Sequence, residues 1–251
     1  MSALGDKAFM RAFLREAGRR VLDFSLPARC VACGEIVAEV GVFCATCWTA
    51  LNFLPAEGCT ICGLPLEGTE VDTCGACLAR PPRIDRIRAA VEYGDISRQV
   101  AMKLKYGRKI AVARAMARYM RPLLTGDDIV LVPVPLHRGR LWKRGFNQAV
   151  LIAEALARGT GARVEKQLLR RTRPTPSLRG LTALQRRKAV AGAFAVRPEH
   201  DIAGRTIVLV DDVYTTGSTC SSCARALKKA GAARVELIGW ARVLRPAPFA
   251  R

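Results

Sequence analysis

Two adjacent carboxylates, Asp211 and Asp212, stand where the apolar run Ile207–Val210 gives way to the hydroxyl-rich turn Thr215-Thr216-Gly217-Ser218-Thr219. Paired carboxylates in such a place can accept hydrogen bonds from the 2- and 3-hydroxyls of a ribose. The turn offers successive backbone N–H groups and hydroxyls. Gly217 permits close approach and an unusual φ, and Ser218 is placed to cap a following helix. A helix N-terminus binds anions, so a 5-phosphate fits beside the sugar. An acidic strand end before an ordinary capped helix is the plainer reading of any one of these features. Their order along the chain points to a phosphorylated ribose.

A second set of residues points to metal. Eight of the ten cysteines form four C-x-x-C pairs: Cys30/Cys33, Cys44/Cys47, Cys59/Cys62 and Cys74/Cys77. Each pair can offer two thiolates to a tetrahedral ion, and two pairs make a closed four-cysteine zinc site. Gly34, Gly63 and Gly75 follow Cys33, Cys62 and Cys74, where tight turns bring backbone N–H groups toward sulfur. The expectation is a double zinc ribbon with two structural zinc ions. The simplest ligation is sequential, Cys30, Cys33, Cys44 and Cys47 on one ion and Cys59, Cys62, Cys74 and Cys77 on the other, with a crossed arrangement left open. No ligand position remains for water, which argues against a catalytic zinc. Cys220 and Cys223 differ: with Leu227 and Ala230 they fall on one helix face and read as core.

Charge divides the chain. Lysine and arginine number 41 against 21 acids, a net charge of +20. Residues 30–77 contain no basic side chain and six acids, Glu35, Glu39, Glu57, Glu67, Glu70 and Asp72. The basic face therefore belongs to the remainder, where it suits an anionic partner such as nucleic acid, a phosphorylated metabolite or an anionic membrane surface. The acidic cysteine module would be repelled by phosphate backbones, so it is expected to dock on the basic domain or on a protein. No secretory signal is visible, because Arg11, Arg15, Arg19 and Arg20 interrupt the N-terminal apolar stretch. No segment reads as a transmembrane span. The chain reads as cytoplasmic, where thiols stay reduced and disulfides are disfavoured.

The elements that must position these groups follow from periodicity. Residues 8–25 suit a basic amphipathic helix, packed on its own protein or touching a membrane surface. Arg80–Arg83, with Pro81 and Pro82, suits a linker. The expected organisation is a helix over 1–27, a double ribbon over 28–79 and a larger domain over 84–246. Strands are expected at Ala89–Tyr93, Ile129–Pro135, Ile207–Val210 and Val235–Val243. Helices are expected at Ile96–Lys105, Ile110–Leu123, Asn147–Arg158 and Ser218–Ala230, the last stopped by Gly231. The alternation gives a parallel α/β sheet. A basic loop, His137–Arg140 and Lys143–Gly145, follows the second strand and makes Arg140 and Arg144 candidates for an anion. Residues 163–188 carry nine basic side chains against Glu165. They suit a mobile loop that closes over a ligand, a solvated face or a nucleic-acid contact. Trp142 and Phe146 are expected in the core, although flanking cations also make them the best local platforms for stacking bases.

Four cysteine pairs, R-G-F-N-Q at Arg144–Gln148, G-A-F at Gly192–Phe194 and V-D-D-V-Y-T-T-G-S-T resemble the ComF family of competence-associated, amidophosphoribosyltransferase-like proteins. The similarity runs from Cys30 onward. It implies a type I phosphoribosyltransferase-like parallel sheet with helices on both faces, preceded by a small double zinc ribbon. It also implies a ligand, phosphoribosyl pyrophosphate (PRPP), accompanied by magnesium. Asp211 and Asp212 would hold the ribose, and Thr215, Thr216, Gly217, Ser218 and Thr219 the 5-phosphate. Arg140 and Arg144 would face the pyrophosphate. Some members serve DNA uptake in natural transformation, which implies single-stranded DNA and DNA-uptake or replication-restart proteins as partners. Members of the family often carry Gln and Asn in the loop where Leu178 and Ala189 stand here. Some base-salvage enzymes place an acid in the turn where this chain has Thr215, leaving no agent for proton transfer on a purine. The expected function is therefore a PRPP-binding phosphoribosyltransferase-like protein linked to DNA uptake or processing. A non-catalytic PRPP- or single-stranded-DNA-binding protein is the alternative, and nucleobase salvage a weaker one.

Overall fold

The computed structural model describes residues 27–66, 71–106, 109–126, 128–175 and 180–244. The helix expected over residues 8–25 and Leu178 lie outside them. The cysteine-rich segment folds into loops with two short helices, α1 (Ala45–Thr49) and α2 (Gly75–Ala79). It leads into strand β1 (Arg86–Glu92), helices α3 (Asp95–Tyr106) and α4 (Lys109–Met120), and strand β2 (Val130–Pro133). Helices α5 (Arg138–Arg144) and α6 (Gln148–Thr160) follow, then the short strands β3 (Arg163–Val164) and β4 (Leu169–Arg171). Helix α7 (Ala183–Val190), strands β5 (Phe194–Val196) and β6 (Thr206–Tyr214), helix α8 (Ser218–Lys229) and strand β7 (Arg234–Arg242) complete the described chain.

Five strands form one parallel sheet in the order β1-β7-β6-β2-β3. Its central strand β6 reads as a continuous apolar run because it is covered on both faces. Val208 and Val210 join the core formed with α3, α4 and α6, while Ile207 and Leu209 join the opposite core with α8 and the β4–β5 ribbon. This alternation is the two-residue period of a strand. Trp240 on β7 is fully buried, and its indole N–H donates to the Ser97 carbonyl at 3.1 Å. Among the described residues, no helix is long and apolar enough to cross a membrane.

The cysteine module covers the β1 edge, which would otherwise expose a row of unpaired backbone groups. Leu54 N–H donates to the Ala90 carbonyl at 3.0 Å, Glu92 N–H to Asn52 at 2.8 Å and Ile87 N–H to Ile61 at 2.7 Å. An aromatic group seals the joint: Phe43 lies 5.5 Å from Tyr119 and 6.1 Å from Trp240, and Trp48 lies 4.5 Å from Phe53, between ring centroids. The acidic module thus docks on the basic domain, the first of the two placements its charge suggested.

Four local expectations change. The basic stretch after β2 is helix α5 rather than a loop, because the His137 side chain accepts from Gly139 N–H at 3.2 Å and Gly145 ends the helix at φ 73°. Part of the basic segment 163–188 is regular: β4 pairs antiparallel with β5, and Thr182 and Gln185 form a reciprocal cap on α7. Trp142 is 93% exposed rather than buried in the core. Cys220, Cys223 and Leu227 are buried as expected, but Ala230 falls just past the end of α8 and is exposed.

Candidate functional site

The sheet brings the chemistry together at its carboxyl edge. Strands β2 and β6 are parallel neighbours, with Pro133 opposite Val210, and Val134 N–H donates to the Val210 carbonyl at 3.0 Å. The segments leaving both strands therefore emerge side by side, forming the crevice in which open α/β sheets hold ligands. Asn147 fixes the far end of the first segment. Its amide donates to the Val134 carbonyl at 3.0 Å, and its Oδ1 caps α6 by accepting from Ala149 N–H at 3.1 Å.

Strand β6 carries Asp211 and Asp212 into this crevice. Asp211 Oδ1 accepts from Asp212 N–H at 2.9 Å, and its Oδ2 accepts from the Cys220 thiol at 3.5 Å. Burial, followed by the Asp212 charge, pushes the Asp211 carboxyl up to about 8. Burial and then Asp211 push the Cys220 thiol well above its ordinary value, so it remains a donor. Asp212 Oδ1 accepts from Val213 N–H at 2.9 Å, while Oδ2 lies 3.0 Å from Lys105 Nζ.

The turn that follows is a cradle. Gly217, at φ 68°, occupies the N-cap of α8 with no side-chain capping hydrogen bond, so the first-turn N–H groups are not consumed by a cap. The cap expected of Ser218 falls one residue late: Ser218 is the first helical residue, and its hydroxyl lies 3.0 Å from Thr216 Oγ1. A Cβ at Gly217 would overlap the Tyr214 phenol, so the turn needs glycine for space as well as for φ. Thr215, Thr216, Gly217, Ser218, Thr219 and Asp211, with Arg186 from α7, line a cavity of about 70 Å³.

Asp211 and Thr219 also line a second cavity, of about 190 Å³, together with Asp212, Lys105, Arg144, Asn147, Gln148 and Arg171. The two acids thus stand between the turn at Gly217 and a hollow whose described walls include the cations Lys105, Arg144 and Arg171. The Arg144 guanidinium lies 5.9 Å over the Tyr106 ring. Arg140 shares α5 with Arg144, but its side chain is outside the described residues. Gln148 is buried, and its Nε2 has no hydrogen-bond partner among the described residues. Lys105 escapes a reading by spacing, because it looks like its neighbour Lys103; Arg171 and Arg186 belong to the basic segment expected to close over a ligand, and Gln148 ends the R-G-F-N-Q motif. A hollow of about 840 Å³ beside Pro81, Pro82 and the end of α8 is larger, but its one acid, Asp85, pairs with Lys228 at 2.7 Å.

The cysteines form two groups, Cys30, Cys33, Cys44 and Cys47, and Cys59, Cys62, Cys74 and Cys77. Within each, the four sulfurs all lie within 4.8 Å of one another. Cys33 and Cys44 sulfurs are 3.6 Å apart, and Cys62 and Cys74 sulfurs 3.7 Å. A tetrahedral ion with about 2.3 Å metal–sulfur bonds requires edges of about 3.8 Å, so the donor sets fit zinc in the sequential pairing. Backbone N–H groups support the sulfurs: Cys62 N–H and Cys74 N–H approach Cys59 Sγ at 3.4 and 3.3 Å. Burial alone would raise the Cys59 thiol, but these donors outweigh it and bring it down to about 6; the same arrangement acts on Cys30. The second group is tied to the end of β6. Arg242 on β7 donates to the Cys62 carbonyl and lies 5.7 Å over the Tyr214 ring.

A parallel sheet with an acid pair and phosphate-type cradle at its carboxyl edge, joined to two closed four-cysteine groups, defines a phosphoribosyltransferase-type domain carrying a double zinc ribbon. Family models agree: residues 21–78 match a double zinc ribbon domain and residues 107–243 a phosphoribosyl transferase domain. The chain is 34% identical to the DNA utilization protein YhgH of Escherichia coli O6:H1 over 71% of this chain and 81% of that one. It is 29% identical to competence protein F of Haemophilus influenzae over 85% and 96%, and 28% identical to competence protein ComFC of Bacillus subtilis over 76% and 79%. The chain belongs to the ComF/YhgH family of proteins that join a double zinc ribbon to a phosphoribosyltransferase domain.

Proposed function

We propose that the chain binds PRPP between the Asp211–Asp212 pair, the Thr215–Thr219 cradle and the cations Lys105, Arg144 and Arg171, as a phosphoribosyltransferase-like protein serving DNA uptake or processing. One observation carries this reading: Asp211 and Thr219 are walls of both cavities. A ribose held at the acids would have its 5-phosphate in the cradle and its 1-pyrophosphate among the cations. Magnesium would arrive with the ligand and neutralise part of its charge, with Asp211 and Asp212 the acids at hand to help hold it. The 190 Å³ cavity suits that arrangement, since its only acids among the described residues are Asp211 and Asp212. If the chain is catalytic, a nitrogen nucleophile takes the ribosyl group and pyrophosphate leaves, with Arg144 and Arg171 stabilising the departing charge. Thr215 in the turn disfavours nucleobase salvage. The name of one relative, DNA utilization protein, supports the link to DNA.

Within this reading, residues 28–79 are the ribbon module, with two zinc ions held by the two four-cysteine groups in a structural role. Residues 84–246 are the ligand-binding domain, working in the cytoplasm. Calorimetric titration with PRPP, with and without Mg²⁺, tests the assignment. Wild type binds with Mg²⁺ present, and Asp211→Ala/Asp212→Ala loses about a hundredfold or more in affinity, the loss expected for two buried acceptors. Unchanged affinity in the double variant refutes the site.

A second reading draws on the exposure of Trp142. Its ring is free on α5 beside Arg144, and Tyr106, 70% exposed, lies under the Arg144 guanidinium. Aromatic faces among cations suit the stacking of single-stranded bases. Steep salt dependence of oligonucleotide binding, weakened in Trp142→Ala without loss of stability, is the expected result. Binding unaffected by that substitution removes this reading.

A further inference from the structure

Lys105 lies in the last turn of α3, whose other face is anchored in the core by Val100, Ala101 and Leu104. Its backbone is therefore fixed, while its flexible four-carbon stem leaves the ammonium free to change partners. In this structure the ammonium lies 3.0 Å from Asp212 Oδ2, with both side chains largely shielded from solvent. Yet Oδ2 is buried and, among the described residues, accepts no hydrogen bond of good geometry. The lysine neutralises the carboxylate as a point charge, while Oδ1 accepts from Val213 N–H and Oδ2 is left without a well-formed hydrogen bond. A ribose hydroxyl would satisfy Oδ2 better, but it brings no charge. Exchanging an ammonium for a hydroxyl beside a buried carboxylate is unfavourable unless the ammonium finds another anion. The cavity into which Lys105 projects is also walled by Arg144 and Arg171, where the reading above puts a pyrophosphate. The next residue, Tyr106, lies under Arg144, so the end of α3 carries one of these cations and supports another.

We propose that Lys105 is a specificity-determining residue: it holds Asp212 until a ligand bearing a pyrophosphate draws it away, and so discriminates against ribose phosphates that lack one. This rests on the PRPP reading of the pocket. With PRPP, Lys105 passes from one anion to another and Asp212 is released to the sugar. With ribose 5-phosphate, the hydroxyls must compete with Lys105 for Asp212 and nothing repays its displacement.

The test is binding of Mg²⁺–PRPP and of ribose 5-phosphate to wild type, Lys105→Met and Lys105→Arg, with zinc content and circular dichroism confirming folding. In Lys105→Met, PRPP affinity falls about tenfold or more, the size of one lost charge-assisted contact. Ribose 5-phosphate affinity holds or rises, so the ratio between the two ligands collapses. Lys105→Arg keeps most of the ratio, because the charge remains. A merely structural lysine would weaken both ligands together; an unchanged ratio in Lys105→Met, with wild type binding both, overturns this inference alone. Failure of wild type to bind either ligand overturns the PRPP reading as well. If Lys105→Met does not fold, Lys105→Gln is measured in its place against the same criteria.

Discussion

The two cysteine groups and the carboxylate pair both crowd like groups together, and the chain relieves the crowding differently in each. Each cysteine group turns four sulfurs inward, supports them with backbone N–H groups and leaves no coordination position open. A bound ion would convert the mutual repulsion of four thiolates into bonds, so the arrangement is complete once metal is present. At the carboxylates, burial discourages the charge on Asp211, and Asp212 is balanced by a lysine on a flexible stem. Both devices are exchangeable: a proton can leave and an ammonium can swing away. In the proposed reading, a structural centre fixes its counter-charge, whereas a ligand site borrows one. Arg242 joins the two regions, bonding to the Cys62 carbonyl and lying over Tyr214, whose phenol crowds the cradle at Gly217.

That contrast breaks first at the metal. Chelation of zinc should unfold the ribbon, since structural zinc contributes about 10 kcal/mol or more in zinc-finger peptides. It should also weaken PRPP binding through Arg242. Metal analysis and thermal denaturation should show two equivalents of zinc in wild type, and Cys59→Ser should lose one of them while keeping the other. Gly217→Ala comes next. It forces a side chain into the left-handed region at about 1–2 kcal/mol and presses on Tyr214. Denaturant unfolding should record that loss, and PRPP affinity should fall about tenfold. A variant with unchanged affinity would show that the cradle tolerates a wider turn than its geometry indicates.

The smallest effect concerns pH. The folded Asp211 carboxyl is raised to about 8 from an unfolded value near 4, so the folded state prefers the neutral form. Its stabilising preference is complete below pH ~4 and is lost as pH rises toward ~8. Asp211→Asn keeps the shape and cannot ionise. It should therefore gain stability relative to wild type as pH rises from 5 to 8, by about 0.5–2 kcal/mol, while losing PRPP affinity. A difference in stability that stays flat over that interval would show that Asp211 is ionised throughout and that burial does not hold its proton.

The parts legible in the sequence were those written in local order. The cysteine spacing gave the two groups because each knuckle closes within four residues. The run Ile207–Val210 gave the central strand because both its faces are buried, and the acids and cradle were adjacent to it. Helix α5 was hidden because its first turn is held by His137, a less familiar cap than serine or aspartate. Helix α7 was hidden because Ala183, Leu184 and Val190 make no stripe among Arg186, Arg187 and Lys188, and Leu184 is exposed. The exposure of Trp142 is not legible, because a large ring in a sequence does not declare which side of a helix faces solvent. Lys105 could not be found at all: its meaning lies in a contact with Asp212, far along the chain.

The most direct measurement is a crystal structure of the protein soaked with PRPP and Mg²⁺. Ribose density is expected against Asp211 and Asp212, the 5-phosphate inside the Thr215–Thr219 turn, and the pyrophosphate beside Arg144 with Lys105 turned toward it. Ligand density elsewhere, or a Lys105–Asp212 contact undisturbed beneath a bound sugar, would contradict this placement.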